Sequence, residues 1–99
     1  MDSKVLISPR ARNDLKALVQ FIGRDNPHAA LKLGQLLIEK ALSLQGHSLR
    51  GRIVPEINEP NVRELIFKSY RIIYQVSEQE RTVDILRFWH AARGTPEIP

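Results

Sequence analysis

The stretch from Val62 to Arg93 constrains the fold more than any other. It holds three apolar, β-branched and aromatic runs: Val62-Arg63-Glu64-Leu65, Tyr70 to Val76, and Val83 to Arg93. Such runs are strand material. The polar breaks between them, Lys68-Ser69 and Ser77 to Arg81, have hairpin length. The expectation is a three-stranded antiparallel meander, with the rest of the chain covering one of its faces. In the middle run Tyr70, Ile72, Tyr74 and Val76 share one side, and Arg71, Ile73 and Gln75 share the other. The first set is the more apolar and is expected under helices. Arg71 is then expected on the open face, with Arg63 and Arg87 as cross-strand companions, although the residues alone do not set register. The last run is apolar on both parities, Ile85 and Trp89 against Leu86 and Phe88. That suits a strand covered on both faces and internal to the sheet.

Upstream, Lys4-Val5-Leu6-Ile7 reads as a first strand. Ser8-Pro9 opens a helix, with Ser8 as cap and Pro9 in the first turn. Ala11, Leu15, Leu18, Val19 and Ile22 form its apolar stripe, and Gly23 is a natural stop. Asn26-Pro27 repeats the start signal. The second helix is expected to run to about Leu44, with Ala29, Ala30, Leu33, Leu37, Ala41 and Leu44 along one face. Leu31 and Ile38 widen that face. Contact with the first helix is the simpler assignment for them, and a partner surface the alternative. The short join implies an antiparallel helix hairpin. The fold class is therefore α+β in the order β-α-α-β-β-β, a single domain over residues 1–99, with the first strand and the hairpin packed on one face of an antiparallel sheet.

Gln45 to Asn61 has Gly46, Gly51, Pro55 and Pro60 and no sustained periodicity, so it reads as a long connection. The prolines of Gly94 to Pro99 exclude regular helix or a central strand there. The 99 residues contain no cysteine, which removes disulfides and thiolate metal sites. No apolar run approaches the roughly 20 residues that span a bilayer, and no signal-peptide pattern precedes the first strand. A cytoplasmic, non-membrane protein is expected. Residues 1–50 carry eight Lys/Arg against four Asp/Glu, and residues 51–99 carry seven against seven. This basic excess on the helices suits an acidic or polyanionic partner as well as a simple solvated surface.

The chain has no phosphate-cradling glycine loop, nucleophile elbow or metal-ligand spacing. His28, His47 and His90 are far apart, so neither metal nor cofactor is implied. Glu64 is the one acid inside a strand motif and is expected to satisfy a basic neighbour. What remains is a set of arginines and aromatics: Arg63, Tyr70, Arg71, Tyr74, Arg87, Trp89, His90 and Arg93. Tyr74 and Trp89 read first as core residues.

Arg63-Glu64-Leu65, Tyr70-Arg71-Ile72-Ile73-Tyr74 and His90-Ala91-Ala92-Arg93 resemble the ParE/RelE superfamily of type II toxins. Asn26-Pro27-His28-Ala29-Ala30 and Gly51-Arg52 extend the resemblance, which runs from Ile7 to Arg93. It implies the toxin of a toxin–antitoxin, plasmid-stabilisation-like module, bound in a hetero-oligomer by a cognate antitoxin. It also makes Gly51-Arg52 a recurrent entry into the sheet. On the ParE-like branch the target is DNA gyrase, inhibited by binding, with Arg63, Arg71, Arg87, His90 and Arg93 as target- or partner-binding residues. On the RelE-like branch the chain is a ribosome-dependent, metal-independent mRNA endoribonuclease, with Arg71 on the phosphate and His90 and Arg93 beside it. The C-terminal tyrosine of that second plan has no match here, and neither has its lysine cluster before the meander. The two opening helices, the Asn26-Pro27 join and the Arg93 ending resemble the ParE-like branch more. A free-standing nucleic-acid-binding module is the alternative from outside the superfamily.

Overall fold

Two proline-containing caps set the helices. In the computed structural model, which describes residues 3–98, Ser8 Oγ accepts the Ala11 N–H at 3.1 Å and Asn26 Oδ1 accepts the Ala29 N–H at 3.1 Å. Each side chain satisfies an amide that has no partner within the helix. Helix α1 spans Pro9–Gly23 and α2 spans Pro27–Leu42. A 3₁₀ turn over Ser43–Gln45 replaces the expected last α-helical turn, yet Leu44 stays buried. The two helices pack closely at Gly34, where an added Cβ would come within 3.1 Å of Val19 Cγ2.

The strands are β1 (Lys4–Ile7), β2 (Arg52–Ile53), β3 (Val62–Phe67), β4 (Tyr70–Ser77) and β5 (Thr82–His90), in sheet order β1-β5-β4-β3-β2. The expected meander is β3-β4-β5, all antiparallel. The two-residue β2 adds to its outer edge. The first strand departs from expectation: it lies within the sheet, at the other edge, parallel to β5. Lys4 N–H donates to Arg81 O and Ser8 N–H to Ile85 O, which tie it there at both ends. The sheet is thus mixed within the expected α+β class.

The side of β4 expected beneath the helices is there. Ile72, Tyr74 and Val76 join Val83, Ile85, Phe88, Ala11, Leu37, Ala41 and Leu44 in one core. β5 behaves differently from its parity reading. Ile73 faces Arg87 while Tyr74 faces Ile85, so Leu86 is an extra residue. This bulge resets the alternation. Ile85 and Phe88 end up on the helix side, and Leu86 joins the core behind the sheet.

The face expected to stay open is covered. Val54, Val62 and Ile73 form a second buried cluster, flanked by Ile57, Leu86 and Ile98. The connection before β3 and the C-terminal tail therefore act as a cover. The reason is hydrophobic: Val62, Ile73 and Leu86 would otherwise expose contiguous apolar surface to water. Leu31, expected against α1, instead stands 62% exposed, and Ala29 is exposed as well.

Candidate partner- and target-binding site

The arginines singled out in the sequence do not form one patch. Arg71 is 8% exposed and lies on the covered face. Its Nε donates to Glu64, and its two terminal nitrogens donate to both oxygens of Glu56 at 2.8 Å. Arg52 Nε donates to the other oxygen of Glu64 at 2.6 Å. Glu64 does satisfy a basic neighbour, but the neighbours are Arg71 and Arg52. Arg71 therefore does not project from an open face. A buried guanidinium requires carboxylates to replace its lost water, and β3 and the 54–57 segment supply them. Hydrogen bonding from Arg71 pulls the Glu56 carboxyl below its ordinary pKa, and the two carboxylates raise that of Arg71.

Arg63 and Arg87 are not its companions either. The residues opposite Arg71 are Ile66 and Trp89. Arg63 donates to the carbonyls of Pro60, Leu49 and Gly51, which fastens the loop before β2. Gly51 N–H donates to Tyr74 Oη at 2.8 Å. A Cβ on Gly51 would lie 2.5 Å from Glu64 O and 2.6 Å from that hydroxyl, so only glycine fits the approach. Burial raises the Tyr74 phenol pKa. Arg87 grips Asp14 of α1 with two bonds, at 2.7 and 2.8 Å, and donates to Glu97 O. Asp14 also accepts the Phe88 N–H at 3.1 Å, closing the stretch of β5 beyond β1.

His90 and Arg93 are the two predicted residues that the fold brings together. β5 ends at His90 and leads into a 3₁₀ turn, Ala91–Arg93. His90 Nδ1 accepts the Ala92 N–H at 3.1 Å. The neutral ring then carries its proton on Nε2. Tyr70 meets the ring edge-on, with centroids 4.9 Å apart. Arg93 stacks on Trp89 at 4.3 Å, and Arg87 at 4.7 Å. Trp89 is held by its own Nε1–H to Gly94 O at 2.8 Å. Stacking restrains the Arg93 guanidinium without using its N–H donors, and Arg93 has no carboxylate partner among the described residues.

Both residues border a groove of about 650 Å³ between α1 and the ends of β4 and β5. Its wall on α1 is Ala17, Leu18, Phe21 and Ile22, and its wall on the sheet is Tyr70 and Phe88. Phe21 is 71% exposed. Phe21 is not among the site residues expected from the sequence; its one local signal is that it is an aromatic lying off the apolar stripe of α1. Asp14, the single acid at the groove, is already engaged by Arg87. The groove thus offers an apolar trough with a cationic mouth. Among the described residues, no group of three or more His, Cys, Asp or Glu is gathered that could hold a metal, and no helix is long and apolar enough to cross a membrane.

The ParE toxin family of type II toxin–antitoxin systems, parDE, matches residues 5–94. This chain belongs to that family. Toxin RelE1 of Caulobacter vibrioides is 33% identical over 94 residues, covering 91% of this chain and 95% of that one. Among solved structures, the chromosomal ParDE system of P. aeruginosa superposes with a TM-score of 0.74 at 24% identity, covering 89% of this chain and 95% of its counterpart. The RelBE2 toxin–antitoxin complex of Mycobacterium tuberculosis gives 0.68 at 25% identity, covering 91% and 99%. A free-state mutant of E. coli RelE gives 0.68 at 15%, covering 95% and 88%. Membership of the ParE/RelE superfamily, expected from the motifs, therefore holds across almost the whole chain. Relatives named ParE and relatives named RelE share this ParE-family fold, so the fold does not choose between their targets. That choice depends on the residues of the site.

Proposed function

We propose that this ParE-family toxin acts by binding and inhibiting DNA gyrase, cuts no RNA, and is neutralised by a cognate antitoxin. The observation that carries the reading is the state of Arg71. The ribonuclease alternative assigns it the scissile phosphate, yet three of its nitrogens are already bonded to carboxylates. A phosphate would have to compete with Glu64 and Glu56 for this guanidinium, whose charge the two carboxylates already offset. Cleavage also needs a proton acceptor and a proton donor on opposite sides of one phosphate. Arginine stays protonated and is a poor base, and one histidine cannot occupy both positions. Inhibition by binding needs only the apolar groove and the donors of Arg93 and His90. Arg63 and Arg87 support this surface by holding the loop and α1 in place. The ParDE and RelBE2 likenesses support an antitoxin partner, and a bacterial gyrase target implies action in the cytoplasm.

The test is the purified chain in two assays, gyrase supercoiling and integrity of translated mRNA. Inhibition of supercoiling with intact mRNA is expected. His90→Gln should retain most of the inhibition. Arg93→Ala should weaken it at least about tenfold, the equivalent of ~1.4 kcal/mol. Ribosome-dependent cleavage that disappears in His90→Gln would instead establish the ribonuclease. Steeply salt-dependent binding to plain DNA without effect on gyrase would favour the nucleic-acid module.

A further inference from the structure

Helix α2 carries an apolar row that is left largely in water. The buried side of this helix is Ala30, Gly34, Leu37 and Ala41. Beside it, Leu31 is 62% exposed and Leu42 is 42% exposed, with Gln35 exposed and Ile38 half-buried. Residues three and four apart stack on one helix face. Leu31, Gln35, Ile38 and Leu42 therefore form a single row, about 16 Å long at the α-helical rise. Leucines aligned in water are costly. The spacing of the row is four, three and four residues, which reads the same in both directions. Two exposed charges, Lys32 and Glu39, each follow a row residue by one position. They lie on the same side of the row. Neither has an ion-pair partner among the described residues.

We propose that a second copy of this chain covers the row, with the two α2 helices packed antiparallel about a two-fold axis. A two-fold interface uses the same patch on both copies, so the patch must complement itself. The spacing meets that demand. In the antiparallel register Leu31 lies opposite Leu42 of the partner subunit, and Ile38 lies opposite Gln35 of the partner subunit. The charges meet it as well. Lys32 and Glu39 of the partner subunit fall within about 3 Å of one level along the axis, and the symmetry makes that pair twice. Flanking ion pairs of this kind set the orientation of packed helices. Parallel packing would instead place Lys32 against Lys32 and Glu39 against Glu39. A uniformly acidic partner would neutralise Lys32 and repel Glu39, whereas the reversed copy satisfies both. The inference requires neither the gyrase target nor the antitoxin.

Analytical ultracentrifugation of the purified full chain, from micromolar to near-millimolar concentration, tests the pairing. Wild type should pass from monomer to dimer across that range. Leu31→Asp should raise the dimer Kd at least about tenfold, as loss of a desolvated anchor does. Lys32→Glu places like charges together twice and should weaken the dimer by at least about tenfold too. The swap Lys32→Glu with Glu39→Lys should restore the Kd to within about threefold of wild type, since the pairs re-form with their signs exchanged. A misfolded variant could not produce that recovery, and circular dichroism checks each fold. Phe21→Asp, 71% exposed on α1 but outside the row, should leave the Kd unchanged. A wild-type chain that stays monomeric throughout would overturn the proposal, as would a dimer indifferent to Leu31→Asp. A dimer lost in Phe21→Asp would place the contact elsewhere and overturn it as well. A double swap no tighter than Lys32→Glu alone would overturn the antiparallel register.

Discussion

On the helix side of the sheet, Ile72, Tyr74, Val83 and Ile85 meet Leu37, Ala41 and Leu44, with hardly a charge among them. On the opposite side, Arg71 lies between Glu64 and Glu56, with Arg52 completing the chain of charges beside a small cluster of Val54, Val62 and Ile73. The first side gains stability from apolar area removed from water, roughly 25 cal/mol per Å². The second trades lost hydration of its charges for ion pairs, and the net gain is small. The two sides therefore differ in how they respond to damage. An apolar core loses stability in proportion to the volume removed. An ion network loses much when one member is removed and little when its members are replaced together.

The largest effect expected from this contrast comes from Glu64→Ala, which destabilises by about 4 kcal/mol. It strands Arg71 in a site with little access to water, with only Glu56 still attached. Replacing both partners with apolar residues, Glu64→Leu with Arg71→Met, should recover nearly all of that loss. Chemical denaturation of the single and double variants measures it. Equal destabilisation in both would show that the pair contributes more than the small net assigned to it.

On the helix side, Leu37→Ala is expected to cost about 3 kcal/mol through lost burial and the cavity left behind. A second truncation on the same face, Ile72→Ala, should lower stability further. Denaturation midpoints distinguish the two patterns: the apolar double variant falls below its singles, and the ionic double variant rises above Glu64→Ala.

Acid sharpens the comparison at lower amplitude. The Glu56 carboxyl is held below its ordinary pKa of about 4.5, chiefly by its hydrogen bonds from Arg71. It binds a proton more readily when the chain is unfolded. Its contribution is therefore complete above about pH 4.5 and is lost as pH falls through the lowered folded value. Glu56→Gln should flatten that acid limb of stability against pH while leaving the helix-side variants unaffected. An unchanged acid limb in Glu56→Gln would show that this carboxylate does not hold the cover.

Much of the helix side was legible from residue order. Ser8-Pro9 and Asn26-Pro27 announce their caps through chemistry confined to four residues. The alternation of Tyr70, Ile72, Tyr74 and Val76 needs no partner to be read. The covered side was not legible, for two physical reasons. The bulge at Leu86 breaks the period of two that parity arguments assume, and nothing local to Leu86 marks it. Arg71, Glu64 and Glu56 belong to three separate segments, so their pairing exists only after the sheet has formed. The same holds for the groove, where Phe21 on α1 meets Tyr70 and His90 from the far end of the chain. His90 and Arg93 are legible together because their motif is contiguous. Arg63, Arg71 and Arg87 share only their residue type, and the fold separates them.

The smallest expected effect marks where the ionic pattern ends. Arg10 Nη2 lies 3.3 Å from Glu97 Oε2, with both side chains largely in water. The pair resembles Arg71 and Glu56 in chemistry and differs in environment. In high dielectric the Coulomb gain is modest, and immobilising two long side chains offsets it. Glu97 is also held through its backbone, since its carbonyl accepts from Arg87, so the tail does not depend on Arg10. Arg10→Ala should therefore change stability by less than about 0.5 kcal/mol. A loss above about 1 kcal/mol in thermal denaturation would mean that Arg10 helps fasten the tail over Ile73 and Leu86. It would then belong with the covered side, whose members cannot be removed singly without cost.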